Sequence, residues 1–341
     1  MTIVVQDVLH GSRLALARLL SQIENSTPAG YTALSELFPH TGQAHLVGVT
    51  GSPGTGKSSL VNRLAWHYRH PPEGVPQKRV AIVAVDPSSP FSGGAVLGDR
   101  VRMRDLTGDS GVFIRSMASR GSLGGLAAAT SGLVQAFDAA GFEIILIETV
   151  GAGQAEVEVA RLAHTTLVVE APGLGDDIQA IKAGILEIAD ILVINKADRP
   201  GAEHTERALR GMLQLAHPGR RVFRHHGALE TVQPSQPEPT SGESVWLPPI
   251  QKTIATEDSG IVELIDQIAK HHQYLHDSGE WEQKTRARLQ SEFDDLLHTA
   301  LVQRWRASVT DERIAHIFEK LAQRQIAPRD AVSALLNGVP R

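Results

Sequence analysis

The chain contains no cysteine, which removes disulfide frameworks, thiolate metal sites and cysteine nucleophiles together and leaves the redox compartment open. It also lacks any window approaching about 18 uncharged apolar residues, the length a membrane-spanning helix needs. Met1 to His10 has neither the basic start nor the apolar core of a secretory leader. A soluble cytoplasmic protein without a membrane partner is expected. Basic charge is not in excess either: 33 Lys and Arg stand against 38 Asp and Glu, a net charge of -5 spread without long like-charge runs. Nucleic-acid binders usually carry a basic patch on a basic domain, so nucleic acid is not an expected partner. Local basic groups, Arg100, Arg102 and Arg104 and again Lys284, Arg286 and Arg288, read as solvated faces. What is present is ordinary globular composition over 341 residues, enough for one large or two ordinary domains with a sizeable core.

Short apolar, β-branched runs recur at Leu46 to Thr50, Val80 to Asp86, Val112 to Ile114, Ile144 to Glu148, Thr166 to Glu170 and Ile191 to Asn195. Continuous runs of this kind suit strands buried on both faces. Alternation with helical stretches then implies an α/β fold, a doubly wound and mostly parallel sheet with its chemistry at the carboxyl ends of the strands. Ahead of the sheet, Leu9, Leu14, Leu16, Leu19, Leu20 and Ile23 form a helix-like stripe, read as an N-terminal extension. The segment from Leu229 to Pro249, with five prolines among polar residues, has loop composition. Ile250 to Thr253 is placed as a last strand, and Ile261, Leu264, Ile265 and Ile268 mark a helix. From Trp281 onward the apolar spacing is helical throughout, with Pro328 opening a last short helix. The expected division is 1–42 as the helical extension, 43–272 as the nucleotide domain and 273–341 as a helical arm.

The first strand runs into Gly51-Ser52-Pro53-Gly54-Thr55-Gly56-Lys57-Ser58, a full P-loop pattern ahead of a helical stretch, with Ser59 next in line. Its glycines let backbone N–H groups wrap a phosphate at a helix N-terminus, Lys57 neutralises phosphate charge, and the Ser58 hydroxyl suits Mg²⁺. Asn195-Lys196-Ala197-Asp198 follows a later strand. A carboxylate there accepts both N1–H and the 2-amino group of guanine, neither of which adenine offers, so Asp198 points to GTP and GDP. Asn195 is expected to hold neighbouring loops and Lys196 to cover the ring. Glu148, ending the strand Ile144 to Ile147, is placed as the acidic partner of Mg²⁺ or its water shell, with the Gly151 N–H near the γ-phosphate. Asp86 and Asp99 each follow a strand or a Gly-rich loop, and on chemistry alone each is as well explained by a turn as by catalysis. The 15 histidines, including His225-His226 and His271-His272, lack cysteine or acidic partners at ligand spacing and read as ordinary surface or core residues.

VDPSSPFSGGAVLGDRVRM from Val85, FIRSMASRGSLGG from Phe113, ILIETVGAGQAEVEVA from Ile145 and GDDIQAIKAGILEIADILVINKAD from Gly175 closely resemble the MeaB/ArgK family. These are G-protein chaperones of adenosylcobalamin-dependent methylmalonyl-CoA mutase, the family of the human methylmalonic aciduria type A protein. The resemblance implies a SIMIBI-class G domain with a C-terminal helical arm for homodimerisation. It also draws Asp86, Asp99 and Glu148 into the Mg²⁺ and catalytic neighbourhood, and implies a partner-sensing loop at Asp176 to Lys182. The second base-contacting loop departs from the family's Ser-Ala: Ile254-Ala255-Thr256 stands there, which leaves backbone contacts only. Asp177 and Ala155 are further departures. The expected activity is GTP hydrolysis, slow without a partner, gating a cobalamin-dependent acyl-CoA mutase. Arg100, Arg102 and Arg120 are the arginine-finger candidates. The rival expectations are a nickel-insertion GTPase, which would want Cys/His clusters, and a P-loop kinase linked to amino-acid transport, against which Asp198 argues.

Overall fold

The computed structural model describes residues 5–87, 103–106, 108–119, 125–149, 154–173, 187–216, 221–225, 228–232 and 245–336. The chain forms two compact units, Met1–Arg288 and Leu289–Arg341.

The first unit is built on seven strands: β1 (His45–Thr50), β2 (Val80–Pro87), β3 (Val112–Ser119), β4 (Ile144–Thr149), β5 (Thr165–Glu170), β6 (Ile191–Asn195) and, last in the chain, β9 (Ile250–Thr253). They are ordered β3-β2-β4-β1-β5-β6-β9, and every pairing is parallel, so the sheet is parallel throughout. The continuous apolar runs have their cause here, because alternate residues of one strand enter two different cores. Ile145 and Ile147 of β4 pack with Leu16, Leu19, Leu20 and Ile23 of α2 (Arg13–Glu24) and Phe137 of α5 (Gly125–Ala139). Ile144 and Leu146 face the opposite way, onto Leu60 and Leu64 of α4 (Lys57–Arg69) and Leu264 and Ile268 of α8 (Ile261–Ser278).

The N-terminal stripe resolves into α1 (Val5–Leu9), α2 and α3 (Pro28–Leu37). The breaks fall where the sequence supplies caps: the Ser12 hydroxyl accepts from Ala15 N–H, Thr27 accepts from Gly30 N–H, and Pro28 opens α3. Leu14, assigned to the stripe by spacing, is 61% exposed and lies off the buried face. Arg13 ties α2 to β3 by donating to Val112 O at 2.6 Å beside the Phe113 ring. The described part of the proline-rich stretch is not all loop. Ala228–Val232 forms β8, antiparallel to β7 (Arg221–His225) in a two-stranded sheet of its own.

The remaining helices on the sheet are α6 (Gln154–Leu162) and α7 (Ala202–Ala216). Helix α9 (Glu280–Ser308) starts in the first unit. The second unit holds its continuation with α10 (Asp311–Ala322) and α11 (Pro328–Leu336). There Arg313 donates to Ala334 O at 2.8 Å, Val309 and Ala331 are buried, and Phe293, Leu301 and Phe318 are exposed. Among the described residues no helix is long and apolar enough to cross a membrane.

Candidate nucleotide site

Parallel register brings the carboxyl ends of β1, β4, β5 and β6 to one edge of the sheet, and the turn after β1 meets the N-terminus of α4 there. Two glycines of this turn are obligatory for steric reasons. Gly51 has φ +132°, and a Cβ on it would lie 2.1 Å from the Val169 carbonyl oxygen; Gly56 has φ +94°, and its Cβ would meet Asn195 Nδ2 at 2.5 Å. The loop is thus pressed against β5 on one side and the base-reading segment on the other. Lys57 is buried and donates from Nζ to Gly51 O at 2.8 Å and Ser52 O at 3.0 Å, folded over the loop whose phosphates it is suited to meet. Burial holds its ammonium below the ordinary lysine value, opposed by the negative charge of Glu148, Glu156 and Glu170. Pro53 and Gly54 are exposed, Thr55 is buried and hydrogen-bonded to Ser52 O, and Ser59 faces solvent.

One turn into α4, the Ser58 hydroxyl donates to Glu148 Oε1 at 2.5 Å, with both groups buried. Register explains the meeting: Glu148 pairs with Val49 of β1 and Ala84 of β2, at the centre of the sheet beneath the loop. Asp86 lies two residues beyond Ala84, its backbone in β2 and paired with Ala118 of β3. Asp99 and Gly151 lie outside the described residues, as do Arg100, Arg102, Arg120, Asp176, Asp177 and Lys182.

Asn195 ends β6 and binds three parts of the site together. Its Nδ2 donates to Thr55 O at 2.8 Å, and its Oδ1 accepts from Ala255 N–H at 3.1 Å and from the Thr253 hydroxyl at 3.2 Å. Lys196, at φ +57°, donates from Nζ to Gly54 O at 2.6 Å, which lays its stem along the loop. Ala197 N–H reaches Thr253 O, and Asp198 follows, exposed. The second base loop is closed on itself by reciprocal bonds between Ile254 and Ser259, leaving Ala255 buried and Thr256 exposed. Asp258 then anchors this loop to α4 through His67 Nε2 at 2.9 Å.

Sequence reasoning missed Glu170 and Glu156. Both are buried, and both act electrostatically on Lys57. Glu170 ends β5, and burial pushes its carboxyl up to about 7, with Lys57 opposing and Glu156 adding to the shift. An acidic residue closing an apolar strand was the available signal, but spacing alone does not reveal that the P-loop lies against that strand's end.

A parallel sheet with the P-loop after its central strand, a serine–glutamate pair beneath it and an Asn-Lys-Ala-Asp segment braced against it define a P-loop GTPase. A sequence model of the family described as methylmalonyl Co-A mutase-associated GTPase MeaB matches residues 16–310. The chain belongs to the MeaB family. A candidate GTPase of Pyrococcus abyssi is 40% identical over 335 residues, which cover 98% of this chain and 95% of the relative. GTPase ArgK of Escherichia coli is 39% identical over 209 residues, 60% of this chain and 61% of the relative. A crystal structure of a LAO/AO transport system kinase shares the fold with a TM-score of 0.67 at 25% identity, over 98% of this chain and 95% of that one.

Proposed function

We propose that this GTPase is a Mg²⁺-dependent chaperone and gatekeeper of an adenosylcobalamin-dependent acyl-CoA mutase of the methylmalonyl-CoA type. The observation that carries the reading is membership of a family described as mutase-associated, over residues 16–310. The Asn195 bridge supports a switch of this kind, because base and phosphate loops joined by one buried side chain respond together to nucleotide.

The oxygen donors of Ser58 and Glu148 are of the kind that Mg²⁺ takes, and both stand beside Lys57. Bound there with GTP, the ion would neutralise phosphate charge as it develops. The chain's own residues do the rest. Loop N–H groups and Lys57 hold the phosphates, Glu148 fixes the Ser58 hydroxyl, and Asp198 accepts the two guanine donors. Asp86 and Asp99 belong to the arrangement of water for in-line attack. Hydrolysis is slow in the free protein, on the order of 10⁻⁴ to 10⁻² s⁻¹ as for unassisted G proteins, and the mutase speeds it by ordering the loops around Asp176 and Lys182. The exposed apolar side chains of the C-terminal helices serve a homodimer in the cytoplasm.

The test is phosphate release by the purified protein with and without methylmalonyl-CoA mutase from the same source. Acceleration by the mutase, reduced in Asp176→Ala and Lys182→Ala more than the basal rate is, supports the reading. An unaffected rate together with no complex on gel filtration in any nucleotide state removes the chaperone role and leaves the GTPase. Asp198→Asn separately tests the base: it should trade GTP for xanthosine triphosphate, whose ring presents an acceptor at position 2. Preference of the wild type for ATP would defeat the guanine assignment.

A further inference from the structure

At the amino-terminal edge of the sheet, remote from the nucleotide loops, five histidines cluster, four of them around Trp281. His45 opens β1, His164 precedes β5, and His271, His272 and His276 lie on α8. Trp281, in the first turn of α9, has its ring centroid 3.8 Å from His164, 4.5 Å from His276, 5.1 Å from His272 and 6.1 Å from His45. One turn on, Lys284 donates from Nζ to His164 O at 2.9 Å and lies 3.2 Å from Asp190 Oδ1. These contacts fasten the start of α9 to the sheet.

The hydrogen bonds describe an array built for neutral imidazoles. His271 Nε2 lies 3.3 Å from Asp190 Oδ1 and its Nδ1 is 2.8 Å from the Thr165 hydroxyl, which in turn is 2.7 Å from His45 Nε2. All three contacts are satisfied when His45 donates to Thr165, Thr165 donates to His271, and His271 donates to Asp190. His164 Nδ1 accepts from Leu46 N–H at 3.2 Å, which puts its proton on Nε2, a buried atom with no hydrogen-bond partner. A second proton on His164 or His272 would meet like charge. Lys284 and Arg288 of α9 face His164, Lys78 faces His272, and the other histidines of the group would repel it as they charged. Two carboxylates stand among these groups: Glu143 accepts from Lys78 Nζ at 2.7 Å, and Asp190 has its pKa below the ordinary value, because the His271 hydrogen bond and Lys284 outweigh the burial that opposes its charge. Burial first, then these cations, lower His164 to about 2, and burial with His276, His271 and Lys78 lowers His272.

We propose that the start of α9 is an acid-sensitive joint, in which protonation of His164 and His272 releases the turn carrying Trp281 and Lys284 from the sheet while the nucleotide site stays folded. The sign follows from linkage: a histidine held neutral when docked and free to charge when released favours release as pH falls below about 6.5, the value it has in solution. His164, held neutral throughout that range, shifts the docking equilibrium about tenfold between pH 7.5 and 5.5, and His272, lowered as well, adds to the shift in the same direction.

Amide hydrogen exchange on the full chain, read by mass spectrometry and corrected for the intrinsic rate at each pH, tests this directly. Residues 280–288 should lose protection by at least about tenfold from pH 7.5 to 5.5 while β1 and β4 keep theirs. His272→Gln, at a half-buried position, should make the loss smaller than in the wild type. Full protection of 280–288 at pH 5.5, loss in step with β1, or an unchanged loss in His272→Gln would each overturn the joint.

Discussion

Glu170→Gln is the substitution from which the electrostatics of the P-loop can be read most directly. The carboxyl ends β5, is 8% exposed, and adjoins the Val169 carbonyl against which Gly51 packs. Its pKa is pushed up from 4.5 to about 7, mainly by burial and against the attraction of Lys57. At about 1.4 kcal/mol per pKa unit, the ionised form is disfavoured in the fold by about 3 kcal/mol. The folded pKa lies above the unfolded one, so between pH 4.5 and 7 the native state keeps a proton that the unfolded chain has lost. Stability on this account falls as pH rises through that window and levels off above it. Glutamine is neutral at every pH and nearly isosteric. At pH 5 it should melt within about 2 °C of the wild type, and at pH 8 it should melt higher by about 6 °C, taking roughly 2 °C per kcal/mol for a unit of this size. Differential scanning fluorimetry of nucleotide-free protein at the two pH values decides it. The histidine cluster titrates in the same range, but it is common to both proteins and cancels in the difference. A fall in melting temperature at pH 8 would refute the reasoning, because it would mean that attraction to Lys57 outweighs burial and Glu170 is ionised in the fold.

Three further outcomes are expected. Gly51→Ala places a Cβ 2.1 Å from the Val169 carbonyl at φ +132°, and should cost on the order of 2–4 kcal/mol in a urea titration and abolish binding of a fluorescent GDP analogue. Asn195→Ala strands the Thr55 carbonyl and the Ala255 N–H, about 1–3 kcal/mol each; Asn195→Asp should recover the Ala255 and Thr253 contacts but not the one to Thr55, and fall between wild type and Asn195→Ala in calorimetrically measured GDP affinity. Truncation after Arg288 should give a monomer by light scattering that still binds GTP. A cut after Ile268, attractive from apolar spacing alone, would remove the buried His271 and Leu275 and with them part of the first unit's packing.

The fold class was legible in the sequence, and so was the local pattern of the candidate site, for reasons that differ from residue to residue. A P-loop is a local device: Gly51, Gly56, Lys57 and Ser58 act within one turn, so their spacing carries their chemistry. The runs of β1, β4, β5 and β6 announce strands covered on both faces, because they are short, rich in β-branched residues and apolar at successive rather than alternate positions. Strand order was not readable. It depends on which strands pair, and that placed Glu148 under Ser58 from 90 residues away. The pairing of β7 with β8 escaped because the prolines among polar residues from Leu229 to Pro249 gave that stretch, the end of β8 included, a loop composition.

The sequence by itself determined the local elements: a P-loop turn, an Asn-Lys-Ala-Asp tetrapeptide after a strand, an acidic strand end, and helices whose starts are set by Ser12, Thr27 and Pro28. Only the tertiary structure decided which distant groups share a low-dielectric space. Glu170 became a carboxyl that resists ionisation because β5 ends against the P-loop. Lys284, which looks like surface charge in the sequence, became the tie between α9 and Asp190. His45, His164, His271 and His272, scattered over more than 220 positions, became one packed and hydrogen-bonded cluster. Burial and pairing are properties of the packed chain, and a residue's charge state follows from them rather than from its neighbours in sequence.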